Sequence, residues 1–133
     1  MQERHLFEYA VIRAVPRVER EEFLNVGVVL YCAGKRFLQV RYDTGLQRLA
    51  VLAGRQEVEE VACYLHSFAQ ICAGGKDGGT IGRLPVAERF RWLTATRSTV
   101  VQASKVHPGF CTDPAEKLNE LYMQLVAPVS QAQ

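Results

Sequence analysis

The sequence predicts an α+β domain: an antiparallel sheet of about four strands, with two main helices packed mostly on one face, in the order βββ-α-(short α)-β-α. Three observations lead there. The first 42 residues hold three apolar stretches rich in β-branched and aromatic side chains, which suit pleated backbone. Over residues 55–72 the apolar period changes to three and four, the spacing of one helix face. Near the end, Asp113-Pro114 opens a second stretch with that spacing. The chain has 133 residues, 48% of them apolar. That length favours one domain over residues 1–133.

Residues 6–15, LFEYAVIRAV, form the first strand. Phe7, Tyr9, Val11, Arg13 and Val15 share one face; Leu6, Ala10, Ile12 and Ala14 share the other. Pro16 ends it. Residues 16–24 carry five charges and form a connection. The second strand is 25–32, with Val26, Val28 and Leu30 on one face, and Gly27 in its interior marks a bulge or a close backbone approach. Ala33-Gly34-Lys35 is a hairpin turn into strand 36–42. So short a link makes that pair antiparallel.

Val58, Val61, Leu65, Phe68 and Cys72 form the stripe of the central helix, with His66 beside it. Glu57, Glu59 and Glu60 suit its N-terminal dipole, and Gly74-Gly75 stops it. GGKDGGT, 74–80, reads as a flexible loop. Pro85 starts a short helix over 85–93, 97–104 reads as a strand, and 107–114 as irregular. Asp113 caps the last helix, whose stripe is Leu118, Leu121, Tyr122 and Leu125. Pro128 ends it, and the last five residues fray.

The net charge of +2 is too balanced to select a nucleic-acid or membrane partner. Residues 83–107 are different: five basic side chains face Glu88 alone, a local charge of +4. Twelve of the 16 basic residues are arginine, which suits bidentate contact with carboxylate or phosphate. No stretch approaches the ~20 apolar residues of a membrane span, and the start carries no signal-peptide pattern. Cys32, Cys63, Cys72 and Cys111 form no CxxC pair. Reduced, mostly buried thiols in a cytoplasmic protein are expected, with no metal site and no cofactor.

Two segments concentrate polar chemistry. The first, 13–27, holds Arg13, Arg17, Arg20, Glu21, Glu22 and Asn25 between two apolar strands. Such an arginine cluster can bind phosphate or carboxylate, and Glu21 or Glu22 can act as a base or magnesium ligand. The bland alternative is a solvated charged turn. The second, 89–109, holds Arg91, Trp92, Arg97, Ser98 and His107. Trp beside Arg can stack on a base; alternatively Phe90 and Trp92 anchor the core while Arg91 snorkels to water. GGKDGGT lacks the GxxxxGK[ST] spacing of a phosphate loop.

The stretches YAVIRAVPRVEREEFLNVGVVLYC, 9–32, and RFRWLTATRSTVVQASKVHPG, 89–109, together resemble the bacterial domain-of-unknown-function family 3037. Its members are short cytoplasmic proteins of about this length, and the resemblance spans nearly the whole chain. Thr96 departs from the family pattern, which tends to have proline there. The resemblance implies no activity and supplies no catalytic residues. It does imply a partner, because members are often encoded beside a HipA-like serine/threonine kinase.

The leading expectation is therefore a small non-catalytic accessory protein for a HipA-like kinase. Its binding residues would come from Arg13, Arg17, Arg20, Glu21, Glu22, Asn25, Arg91, Trp92, Arg97, Ser98 and His107. Two alternatives stay open: a nucleic-acid or nucleotide binder using 83–107, and a small hydrolase or nuclease using Glu21, Glu22 or His107. The last requires both segments to converge on one concave site.

Overall fold

The computed structural model describes residues 3–17, 20, 22–97 and 99–127. Its sheet is antiparallel throughout. Strand β1 (His5–Ala14) pairs with β2 (Leu24–Cys32), and β2 with β3 (Phe37–Tyr42). On its other side β1 pairs with two short strands in succession, β4 (Val101–Ala103) and β5 (His107–Cys111). The α+β class and the hairpin at 33–35 are as expected. The strand expected at 97–104 shrinks to β4, and the stretch read as irregular, 107–114, supplies β5.

Among the described residues, five α-helices accompany the sheet: α1 (Gln47–Leu52), α2 (Arg55–Ala73), α3 (Gly79–Gly82), α4 (Val86–Leu93) and α5 (Pro114–Leu125). The two long helices do not share a face. Val61, Leu65, Phe68 and Ile71 of α2, with Phe90 and Leu93 of α4, pack on Ala10, Ile12, Ala14 and Val29. Leu118 and Leu121 of α5 pack on Phe7, Val28 and Leu30, from the opposite side. The expectation of one covered face is thus corrected. The first strand already carried the reason: both of its faces are apolar, so each needs a cover.

Helix α1 falls in a stretch that sequence reading left unassigned. The Asp43 carboxylate accepts from the Gly45 and Leu46 backbone N–H groups, at 3.1 and 3.2 Å, and turns the chain. Leu46 and Leu49 then drop into the core. GGKDGGT is not a flexible loop but folds into a 3₁₀ turn and α3. Arg89 holds the region together. Its guanidinium donates to the carbonyls of Ile71 (2.8 Å), Cys72 (2.9 Å) and Leu84 (3.0 Å). Two of those carbonyls end α2, where orphan acceptors and the dipole both favour a cation. Asp113 caps α5 as expected, accepting from Ala115 N at 3.0 Å and Glu116 N at 3.3 Å. Pro128 and the frayed tail lie outside the described residues.

Two bulges flank the middle of β1. On the β2 side, Ile12 is opposite Gly27 but Arg13 is opposite Asn25, so Val26 is the extra residue. Val26 therefore joins the α2-side core rather than the face of Val28 and Leu30. Gly27 is also a close approach: a Cβ there would lie 3.0 Å from Tyr42 Cβ and 3.1 Å from Arg41 O. On the other side the register moves by one between the Ile12–Ala103 and Tyr9–His107 pairs. Ser104 bridges that break. Its N–H donates to Val11 O at 2.8 Å, and its Oγ accepts from Val11 N at 2.9 Å. The hydroxyl itself donates to Lys105 O at 2.9 Å.

Ser104→Ala is expected to destabilise the fold by about 1–3 kcal/mol, because it strands the buried Val11 N–H. Urea unfolding with an unchanged m-value checks this. Ser104→Thr, which keeps the hydroxyl, should recover most of the loss.

Candidate functional site

Helix α5 lies over β2 and β3. The same sheet face continues across β1, β4 and β5, and it carries a polar strip there. Alternation along β1 puts Tyr9 and Arg13 on this face, opposite to Ala10, Ile12 and Ala14. The bulge at Val26 brings Asn25 directly beside Arg13. The second bulge lets Gln102, paired with Arg13, and His107, paired with Tyr9, share the face. Without those two insertions, period-two alternation would send Asn25 and His107 to the other side.

Arg13 is the centre of the strip. Its guanidinium carbon sits 4.4 Å from the centroid of Phe23, whose ring is 51% exposed. Arg13 Nε is buried without an acceptor, and Asn25 Oδ1 is buried without a donor. Asn25 Nδ2 is committed, donating to Leu125 O at the end of α5 at 3.0 Å. Gln102 Nε2 donates to Thr99 O at 3.0 Å. The Tyr9 and His107 rings lie 5.3 Å apart. Among the described residues Arg13 has no carboxylate partner.

Arg17 is exposed beyond the end of β1. Arg20 and Glu22 form an exposed two-point ion pair, Nε–Oε1 2.9 Å and Nη2–Oε2 3.2 Å. Glu21 and Ser98 lie outside the described residues. Arg91, Trp92 and Arg97 lie on the opposite face, around α4. Arg91 pairs with Glu8 at 3.2 Å, an exposed contact worth about 0–1 kcal/mol. Arg97 stacks on Trp92 at 4.5 Å from the ring centroid and donates to the Trp92 carbonyl. Burial lowers Arg97 from the usual arginine value, with Tyr64 opposing. Trp92 also meets Phe68 edge-on at 6.5 Å. Two of the five basic residues of the segment are thus held within the protein, Arg89 on helix carbonyls and Arg97 on Trp92, while Arg91 meets Glu8 at the surface. One indole face that a base would need is under a guanidinium.

The two polar segments divide accordingly. Arg13 and Asn25 are paired, His107 shares their face beside Tyr9, four residues along β1, and Arg91, Trp92 and Arg97 stand on the other side of the sheet. Of the acid–base candidates, His107 lies on the Arg13 face, Glu22 is paired with Arg20, and Glu21 lies outside the described residues. Tyr9, Phe23 and Gln102 were not singled out from sequence. Only strand pairing reveals them, because their neighbours are 80 or more positions away or across a bulge.

The family model described as Protein of unknown function (DUF3037) matches residues 9–126. The chain belongs to this family. Comparison with curated proteins finds no match, and neither does comparison with solved structures. The matched span of the DUF3037 chain contains Arg13, Phe23, Asn25, Gln102 and His107.

No helix among the described residues is long and apolar enough to cross a membrane. The four cysteines of this DUF3037 protein are free thiols; Cys32, Cys72 and Cys111 are buried and Cys63 is exposed. Burial pushes Cys72 from an ordinary value near 9 up to about 12, with Arg89 opposing. Burial and the adjacent Cys32 thiol push Cys111 up as well.

A raised thiol stays protonated in the folded state while the unfolded one ionises. Unfolding then releases a proton, and stability falls as pH rises from about 9 towards 12. Cys72 alone should remove about 2 kcal/mol between pH 8.5 and pH 10.5. Urea midpoints across that range check it, and Cys72→Ala should flatten the dependence. A maleimide at neutral pH should add one label to the native chain and four after unfolding.

Proposed function

We propose that this protein is a cytoplasmic, non-catalytic binding module, and that the Arg13 strip receives an acidic group of a protein partner. One observation carries the reading. Arg13 is half-buried, stacked on an exposed aromatic ring, and, among the described residues, left without a carboxylate while its Nε finds no acceptor. A buried polar atom without a partner costs about 1–3 kcal/mol. Native proteins tolerate few of them, and functional sites are where they persist. A planar guanidinium held against a ring is prepared for two-point contact with a carboxylate or phosphate. The ring also removes conformational freedom before binding, which lowers the cost of association.

The partner we propose is a HipA-like kinase, which the family resemblance supports through the frequent proximity of the two coding sequences. Arg13, Asn25 and His107 would contact it, with Arg17, Arg20 and Glu22 at the rim. The opposite-face residues Arg91, Trp92 and Arg97 serve the fold in this reading. Nucleic-acid binding through 83–107 would fall to Arg83, Arg91 and Lys105, the three exposed basic residues there, since Arg89 and Arg97 are half-buried on backbone carbonyls.

The test is size-exclusion co-elution of the purified chain with a HipA-like kinase from the same host, at micromolar concentration and after nuclease treatment. Co-elution is expected, and Arg13→Glu should weaken it by roughly tenfold to a hundredfold, the worth of a charged hydrogen bond. Arg91→Glu should change it little. Separate elution would overturn the proposed partner. Undiminished binding by Arg13→Glu would overturn the proposed site. Binding that vanishes with nuclease and falls steeply with salt would instead favour nucleic acid.

A further inference from the structure

We propose a second docking site, along the free edge of β3, that accepts an extended acidic segment of a partner protein by strand addition. It shares no residue with the Arg13 strip and stands independently of it.

Strand β3 is the last strand of the sheet and pairs with β2 alone. The bond from Asp43 N to Val26 O, 2.8 Å, sets the phase of the ladder. Residues 37, 39 and 41 therefore turn their backbone groups towards β2. Leu38 and Val40 turn their N–H and C=O groups outward. Those outward groups are what an added strand would bond.

The edge opens into a groove of about 470 Å³ between β3 and the ends of α2 and α4. Ala69 and Ala73 of α2 line it on one side, small residues that leave room for alternate side chains of an incoming strand. Lys35, Arg36 and Arg89 supply its charge, and no carboxylate is among its lining residues. Lys35 and Arg36 are exposed. Natural sheets usually guard a free edge with proline, a bulge or charged side chains; on β3 the charges are all basic, which repels a basic strand and admits an acidic one. Strand β3 has no proline, and its register against β2 runs without a break from Phe37 to Tyr42.

Charge complementarity selects the occupant. Residues 35–42, KRFLQVRY, carry +3 with no acidic residue. Pairing two copies of this edge would bring +3 against +3. A strand alternating apolar and acidic side chains matches the groove on both counts: apolar groups towards Ala69 and Ala73, carboxylates towards Lys35 and Arg36.

The probe is a synthetic heptapeptide alternating glutamate and valine, titrated into the isotope-labelled full chain and followed by NMR. Its lysine–valine counterpart is the control. The Leu38 and Val40 amides should shift and exchange at least about tenfold more slowly, as inter-strand bonds require. The control should not bind. Lys35→Glu, a change at an exposed position, should weaken binding by about threefold to tenfold. Val40→Pro removes an outward donor and should abolish binding while leaving the β2 ladder intact. Four outcomes would overturn the proposal: no binding of the glutamate peptide at millimolar concentration, equal binding of the control, shifts confined to other amides, or binding unaffected by Lys35→Glu. A concentration-dependent dimer broken by Val40→Pro would overturn it in favour of a second copy of the chain.

Discussion

The pairing of β1 on both of its edges is the constraint from which the rest follows, and that pairing is interrupted at one height on both sides. Val26 is inserted on one side and Lys105 on the other, within residues 10–13 of β1. An insertion shifts alternation by one and sends every later side chain to the other face. Here the effect is to keep Ala14, Leu24, Val26 and Val101 in the α2-side core. The same shift delivers Asn25 and Gln102 to Arg13, and His107 to Tyr9. The core and the polar strip thus have one cause. Ser104 makes the second insertion tolerable by lending its hydroxyl to the Val11 N–H. Without that acceptor the bulge would leave a donor stranded in the interior.

The arginines show what distinguishes a site from a scaffold. Arg89 is half-buried and satisfied three times by helix carbonyls. Arg97 is stacked and bonded to a carbonyl of the helix it closes. Arg41 sits over Tyr122 at 4.3 Å and donates to Asn119, tying α5 to the sheet. Each of these locks one element against another. Arg13 has the stacking ring but not the acceptor. Among the described residues the fold satisfies its other half-buried guanidinium groups and leaves this one incomplete, opposite an Asn25 Oδ1 that also lacks a partner.

Much of the fold was legible because it rests on local patterns. The stripe of α2, the Asp113 cap and the hairpin at 33–35 each need only a few neighbouring residues. Gly27 was legible as a bulge neighbour, but the insertion itself falls on Val26, a residue with no special signature. The face occupied by α5 was misread because the two apolar faces of β1 were seen without assigning a separate cover to each. Residues 97–114 were misread because a bulge divides the strand and Pro108 disguises its second half. The candidate site was half legible. Arg13, Asn25 and His107 follow from composition, yet Asn25 reaches Arg13 only through a bulge, and His107 reaches the same face only through its distant pairing with Tyr9. Arg91, Trp92 and Arg97 follow from the same logic and fall on the other face, where Arg97 stacks on Trp92 and Arg91 pairs with Glu8 at the surface. Residue type does not distinguish a stacked structural arginine from an open one.

The two edges of the sheet are treated unequally, and the difference is physical. On the β5 edge, Tyr9 and Phe7 bond inward to His107 and Gly109, so Pro108 turns its nitrogen outward. An edge position with no N–H cannot donate to an added strand. The bulge at Lys105 breaks the line of that edge again, with an exposed lysine beside it. Proline and a bulge, two of the usual protections against strand addition, therefore coincide on β5, and neither is present on β3. On β3 the ladder is regular for six residues and the outward donors are intact. If exposure of an edge were merely tolerated by this fold, both sides would be expected to show it. Protection of one edge, beside a cationic groove on the other, is the pattern of a sheet that keeps one side available for a chosen strand.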